Sequence, residues 1–203
     1  MKQFPDTTET IGAAWLDSHD WMLRSSNDGF SHDEYKWPEI GRWAKAVDWD
    51  GLPACGNGFH GMTPHANGFG FSYKRLELCE TRGPQIAIDD EKVKVAEARI
   101  VAIGRAIPVE AFERCGYKIL FPEDGETISP RDREIYFIER GHVTVSGQTG
   151  GYCWFDDSSQ GTVFGQRGGN CRFYDSSQGT VFGQTGGNCR FADSATKREN
   201  RRI

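Results

Sequence analysis

The last third of the chain repeats itself without gaps, each position returning eighteen places later. Gly147 to Phe164 reads Gly-Gln-Thr-Gly-Gly-Tyr-Cys-Trp-Phe-Asp-Asp-Ser-Ser-Gln-Gly-Thr-Val-Phe, and Gly165 to Phe182 follows at once with Cys171, Phe173 and Val181 in the same places. A third copy begins at Gly183 and keeps the pattern through Ser194 before it gives way to a charged tail. A unit this short cannot bury a core alone and must stack on its neighbours, which predicts a β-solenoid. Eighteen residues per coil predicts a three-sided β-helix with roughly six residues on each face.

The glycine density rules out a helical reading of each copy. Cys153-Trp154-Phe155 and Thr162-Val163-Phe164 alternate as short strands do, and the Gly-Gly and Asp-Ser-Ser-Gln-Gly pieces suit turns. Stacking then puts Cys153, Cys171 and Cys189 in one inward ladder and Phe155, Phe173 and Phe191 in another, with Val163 and Val181 on a further inner edge. Three equivalent cysteines cannot all pair, so the ladder is expected to be reduced, its thiols filling the wall as small apolar groups. Asp157, Asp175 and Asp193 are expected to form a turn ladder about 4.8 Å apart. The calcium-binding Gly-Gly-x-Gly-x-Asp nonapeptide is absent, so these aspartates read as turn caps. Shifting back by one repeat lands on Ile135, Phe137 and Val145, and a second step on Tyr117 and Ile119, so degenerate coils are expected to precede the repeats. The expected organisation is a mainly β chain: an α+β head over 1–110, a transition over 111–128, the solenoid over 129–196 and a basic tail over 197–203.

No apolar run approaches the length of a membrane span, and Met1 to Glu9 lacks the apolar core of a signal peptide. Six cysteines without such a signal point to a reducing cytoplasm. A net charge of −5 argues against a nucleic-acid binder.

The head has a different texture. Ala13 to Leu23 predicts a short helix running into a strand at Trp21–Arg24, Lys92 to Ile103 predicts one or two strands, and Pro108 to Cys115 a short helix. Cys55-Gly-Asn-Gly-Phe-His-Gly61 demands a tight backbone path. Leu23-Arg-Ser-Ser-Asn-Asp-Gly-Phe, Lys36-Trp-Pro-Glu-Ile-Gly, Asp48-Trp-Asp and Cys55-Gly-Asn-Gly-Phe-His-Gly together resemble an uncharacterised family of bacteriophage-encoded proteins. That family carries a Trp-Pro, Asp-Trp-Asp, Cys-Gly-x-Gly-[Leu/Phe]-His-Gly head and C-terminal glycine-rich repeats. The resemblance spans roughly residues 21–105 and implies a phage origin rather than a reaction. The longer repeat units here differ from the shorter repeats of that family.

Cys55 and His60 are the strongest reactive pair. A thiolate and an imidazole suit zinc, with His65 or Cys79 nearby, but the spacing fits no standard finger. A nucleophile pair lacks an orienting acid, with Asp50 and His65 the only near candidates. The plainer reading is a glycine-rich hairpin pinned by a buried Cys55 and a hydrogen-bonded His60. An ADP-ribosyltransferase-like site around Gly58 to His65, continuing to Tyr73 or Glu77, lacks its later catalytic glutamate motif. Gly56, Gly58 and Gly61 form no phosphate-binding GxGxxG. Neither a cofactor nor a metal is called for.

Trp15, Trp21, Trp37, Trp43 and Trp49 exceed what so small a domain needs to bury, and Trp is enriched in interface hot spots. Trp37, Trp43, Trp49 and His60, with Arg167, Arg172 and Arg190 on the repeat surface, are therefore candidate binding residues. The expected function is a non-enzymatic phage accessory protein that inhibits a host protein or ribonucleoprotein of antiviral defence, as anti-CRISPR proteins do. The alternatives are a small enzyme centred on His60 and a virion structural or oligomerisation protein. Unpaired strand edges at the solenoid end predict a symmetric end-to-end homodimer.

Overall fold

A computed structural model describes residues 11–26, 29, 35–68, 71, 75–88, 90–156, 158–174, 176–191 and 196–198. The chain forms two compact units, residues 1–116 and 117–203. No helix among the described residues is long and apolar enough to cross a membrane.

The first unit runs α1 (Ala13–Ser18), β1 (Trp21–Ser26), β2 (Trp43–Lys45), β3 (Phe59–Gly61), β4 (Arg75–Arg82), β5 (Ile86–Ile88), β6 (Lys92–Val95), β7 (Glu97–Ile103) and α2 (Val109–Arg114). Lys92 to Ile103 therefore divides into two strands, and both expected helices are present. Strands β1-β4-β7-β2 make an antiparallel sheet of four, and β3-β6-β5 one of three. Mutual backbone hydrogen bonds between Leu23 and Met62, 2.8 and 2.7 Å, join the two sheets. Apolar side chains gather between them: Met22, Ala44, Cys79, Val93, Val95, Ala98 and Ile100 with Trp37 and Phe59. A buried ionic knot lies on β1 and β4, where Glu77 accepts from Ser26 Oγ at 2.5 Å and from Arg75 at 2.6 Å, with Arg24 3.3 Å away.

The second unit is a β-solenoid of about four turns over residues 118–191. Its strands are β8 (Lys118–Leu120), β9 (Thr127–Ile128), β10 (Glu134–Ile138), β11 (His142–Ser146), β12 (Tyr152–Phe155), β13 (Gln160–Phe164), β14 (Asn170–Phe173), β15 (Gln178–Phe182), β16 (Asn188–Phe191) and β17 (Thr196–Arg198). Even-numbered strands stack in one parallel sheet of five and odd-numbered strands in another. Of the three sides expected, two carry strands. The third is the Gly-Gln-x-Gly-Gly corner, whose backbone is too sharply turned to pair as a strand: Gly169 has φ +69°, and a Cβ there would collide with the Gly150 carbonyl.

The expected ladders form. Cys153, Cys171 and Cys189 stand in register, as do Phe155, Phe173 and Phe191. The phenyl rings stack at 4.4 and 4.6 Å with interplanar angles of 9° and 4°. Opposite them, a Cβ on Gly161 or Gly179 would reach 2.6 Å from a phenyl carbon, so only glycine fits at these two positions. Buried Gln148 and Gln166 satisfy the corner. Gln148 Nε2 donates to Gly150 O at 3.0 Å while its Oε1 accepts from the Cys171 thiol at 3.0 Å, and Gln166 does the same toward Gly169 O and Cys189. Contact with the Cys153 thiol, together with burial, holds the Cys171 thiol well above its ordinary range, so it stays protonated and able to donate. All six cysteines are thiols rather than disulfides.

The earlier coils depart from the shift set by the exact copies. Cys153 lies one full repeat from Cys171, but its partner on the other side is Tyr136, an offset of 17, and Glu134 pairs with Lys118, an offset of 16. Ile138 therefore takes the phenylalanine position expected for Phe137. Phe137 instead aligns with Trp154 and packs against it at 5.0 Å. The shift at Val145 is 18, as expected, but Ile119 pairs with Ile135 rather than Phe137, and Tyr117, expected opposite Ile135, falls before the strand because the offset here is 16. The slip arises in the connection after β10, where Glu139–Gly141 replaces a longer turn. Asp157, Asp175 and Asp193 lie outside the described residues.

Truncating a phenyl ring inside the ladder removes two stacking contacts and leaves a cavity. Phe173→Ala is expected to destabilise the solenoid by about 3–5 kcal/mol. Phe164, stacked on Phe182 at 4.8 Å but on the outer surface, is expected to lose about 1 kcal/mol on the same change. Urea unfolding followed by circular dichroism distinguishes the two, and equal losses would contradict the inward ladder.

Candidate functional site

Strand β6 alternates Val93 and Val95 into the core with Lys92 and Lys94 on the other face. A lysine pair on one strand face normally lies in water. Here the segment Trp49 to Gly58 folds over that face and takes Lys94 fully out of solvent, at 0% exposure. Burying an ammonium without a partner is costly, and Asp50 supplies one: its carboxylate lies 2.6 Å from Lys94 Nζ. The same carboxylate accepts from the Leu52 backbone N–H and from Asn57 Nδ2, each at 3.0 Å. The hydrogen bond from Lys94, then those from Leu52 and Asn57, lower the Asp50 pKa to about 2. Gly58 makes the fit possible. At φ +138°, a Cβ there would lie 2.8 Å from Lys94 Cγ and 3.0 Å from the Trp49 ring.

Asp50 therefore ties both ends of its loop to a buried strand cation. The loop's apolar residues point the other way. Val47 is 95% exposed and Leu52 58%, and Pro53 and Ala54 are exposed beside them. The Asp50 carboxylate, 29% exposed, turns toward Lys94 while these apolar side chains stand in water, unlike the usual surface pattern.

Cys55 is exposed, not buried, and accepts from Lys92 Nζ at 3.2 Å. His60 pairs with Lys94 across β3 and β6, and its Nε2 is buried with no hydrogen-bond partner. The hairpin is thus pinned by Asp50 and Lys94, not by Cys55 and His60. Burial, reinforced by the charges of Lys92, Lys94 and Arg24, lowers the His60 pKa to about 4, so the ring is neutral at pH 7. Among the described residues, no group of three or more His, Cys, Asp or Glu side chains is placed to hold a metal ion. His65 is exposed, Cys79 is in the core, and Glu77 is consumed by its arginines. Tyr73 lies outside the described residues.

The tryptophans divide. Trp37, 5% exposed, is core, wedged between Phe59 at 4.5 Å and the Arg24 guanidinium at 4.1 Å, and offers no free face to a partner. Trp43 is half-buried under Arg82 at 3.6 Å, and Trp49 flanks the Lys94 ammonium at 5.5 Å. On the solenoid, Arg167 and Arg190 are exposed, but Arg172 is buried in register with Trp154 and is no surface contact. Sequence reasoning named Asp50 only as a nearby acid outside any recognised catalytic spacing and passed over Lys94, Val47 and Leu52. The available signal was the Asp-x-Asp pair beside a Lys-Val-Lys strand. Comparison with protein-family models, curated proteins and solved structures gives no match to this chain.

Asp50→Ala strands a buried ammonium, whereas Lys94→Met replaces it with an apolar stem. The first is expected to lower the melting temperature more than the second and to speed amide exchange at Leu52. A lysine change as damaging as the aspartate change would contradict the assignment. Proton uptake offers a separate check. Unfolded His60 binds a proton near pH 6.5 while the folded ring resists until about 4, so its contribution to stability is complete above pH 6.5 and falls as pH drops toward 4. Asp50 has a depressed pKa, and its contribution falls between pH 3.8 and about 2. An imidazole resonance of His60 titrating near 6.5 would overturn the histidine assignment.

Proposed function

We propose that this is a non-enzymatic binding protein that engages a host macromolecule through the loop 47–57. One observation carries the reading: a loop fixed by the pairing of its Asp50 with the buried Lys94 displays Val47 95% and Leu52 58% exposed. A loop already held in its bound shape loses little conformational freedom on association, so apolar anchors on it contribute fully to affinity. His60, neutral and partnerless at Nε2, serves packing rather than proton transfer, since no acid or nucleophile hydrogen-bonds that nitrogen.

The resemblance of the head to phage-encoded proteins supports an accessory role in infection. The partner is then a host protein or ribonucleoprotein of antiviral defence, blocked by surface occupation in the manner of an anti-CRISPR protein, in the host cytoplasm.

The test pairs binding with effect. In a host carrying an active defence system, the chain is expected to restore plaque formation and to co-purify one partner in stoichiometric amount. Val47→Asp/Leu52→Asp is expected to keep the wild-type melting temperature and to lose both, with affinity falling about thirtyfold or more, as for an interface hot spot. His60→Ala is expected to retain both. A His60→Ala protein that folds and binds normally yet loses its effect would replace this reading with an enzymatic one.

A further inference from the structure

The outer faces of the two solenoid sheets differ. On the sheet of even-numbered strands, Trp154 and Arg172 point away from the ladder and are nonetheless buried. The outer face of the odd-numbered sheet stays open. Val143, Val145 and Val163 belong to the core, so the residues alternating with them face outward. These are His142, Thr144 and Ser146 on β11 and Gln160, Thr162 and Phe164 on β13, all exposed or half-exposed. Gln178, Thr180 and Phe182 take the same places on β15.

Parallel register turns these residues into rows. Thr127, Thr144, Thr162 and Thr180 align from strand to strand, and Gln160 and Gln178 align beside them, each step about 4.8 Å. No Asp, Glu, Lys or Arg occupies an outward position on β11, β13 or β15. His142 Nε2 lies 2.8 Å from Thr162 Oγ1. Among the described residues, the Gln160 and Gln178 amides and the Thr144 and Thr180 hydroxyls take no partner from the chain. Their donors and acceptors therefore answer to whatever lies on the sheet.

An aromatic wall borders these rows. One face of the Phe164 ring lies on Phe182, at 4.8 Å and 11°. On its other side the register sets Ser146, whose side chain is too small to cover a phenyl ring. Phe164 is accordingly 44% exposed. The result is a step: a serine floor, an upright phenyl face, and hydroxyls and amides alongside.

We propose that this face binds an uncharged glycan chain. One pyranose ring rests its C–H face on Phe164 above Ser146, and its hydroxyls exchange hydrogen bonds with the threonine and glutamine rows. The absence of charge selects this ligand. A nucleic acid or an acidic glycan needs cations to offset its charge, and this face carries none. A protein partner brings charged side chains that would lose water here without gaining a counter-charge. A neutral sugar combines an apolar ring face with an edge of hydroxyls that both donate and accept, which is the complement of a bare phenyl beside Thr and Gln. Because the rows repeat with each coil, successive sugar units meet the same groups again. The site is separate from the loop 47–57.

Calorimetric titration of the full chain with maltohexaose, cellohexaose and mannohexaose tests the face, with hexagalacturonate as the acidic counterpart. At least one neutral hexasaccharide is expected to bind, with an affinity unchanged in about 0.5 M salt, and hexagalacturonate is not. Phe164→Ala is expected to weaken binding about tenfold or more, and Phe164→Trp to retain it. Ser146→Phe sets another ring on the open face, and is expected to keep the fold and abolish binding. Val47→Asp/Leu52→Asp is expected to leave it unchanged. No binding of any neutral probe at about 5 mM, a preference for hexagalacturonate, or an affinity that survives Phe164→Ala would each overturn the proposal. So would a self-associating wild type that Ser146→Phe renders monomeric, since the face would then belong to a second copy. Should Phe164→Ala fail to fold, Ser146→Phe decides: a folded variant that binds like the wild type rules the site out.

Discussion

Phenylalanine in one sheet facing glycine in the other sets the cross-section of the solenoid. A phenyl ring stacked at 4.4 Å on its neighbour fills the space between the sheets, and the opposite strand must surrender its side chain at Gly161 and Gly179 to make room. Large against small, repeated in the coils that carry Gly161 and Gly179, gives the close packing of a protein interior from a unit that has no core alone. The remaining rules follow. The valines two residues beyond those glycines close the far edge, and the glutamines answer both the corner carbonyls and the cysteine thiols. A polar side chain inside such a stack is tolerated because Gln148 and Gln166 are each satisfied in the same way, by a corner carbonyl and the next thiol.

The head solves a different problem by a related device. Its small sheet would carry two lysines on a wet face, and the chain covers one of them with a loop that contributes the matching carboxylate. Such a pair adds little net stability, because desolvation offsets most of the attraction. It does enforce one geometry, since no other placement of the loop leaves Lys94 partnered. The loop is consequently free to carry apolar residues outward without collapsing onto them.

The solenoid was readable because repetition makes the inference for each residue three times over. Identity at one period fixes which positions share an environment, and the Cys and Phe ladders follow from that alone. The signal failed where identity failed. One residue lost from the connection after β10 moves Ile138 into the place expected for Phe137, and periodicity cannot see a gap in a sequence that has already diverged. The two apolar runs of each copy became its two strands and the Gly-Gly piece its tight corner, as their composition implies. In the head, the short helices and the β6 and β7 strands showed in local pattern, whereas the Lys94–Asp50 contact joins residues 44 positions apart and left no periodic trace. Cys55 and His60 attracted notice through their reactivity, yet the positioning groups are a lysine and an aspartate whose roles depend wholly on what lies above them.

The change of offset along the stack, growing by one at each step until it reaches the full repeat, has a consequence for how such a chain alters its length. Only where the offset has settled does a coil see the same neighbour above and below, so only there can a coil be duplicated or deleted without retuning the interior. The near-identical copies mark that interchangeable stretch. Gene slippage of one coding unit adds or removes about 4.8 Å of height, the rise of one strand spacing, and leaves the core untouched. The tail of this protein is in that sense a ruler, graduated in whole coils.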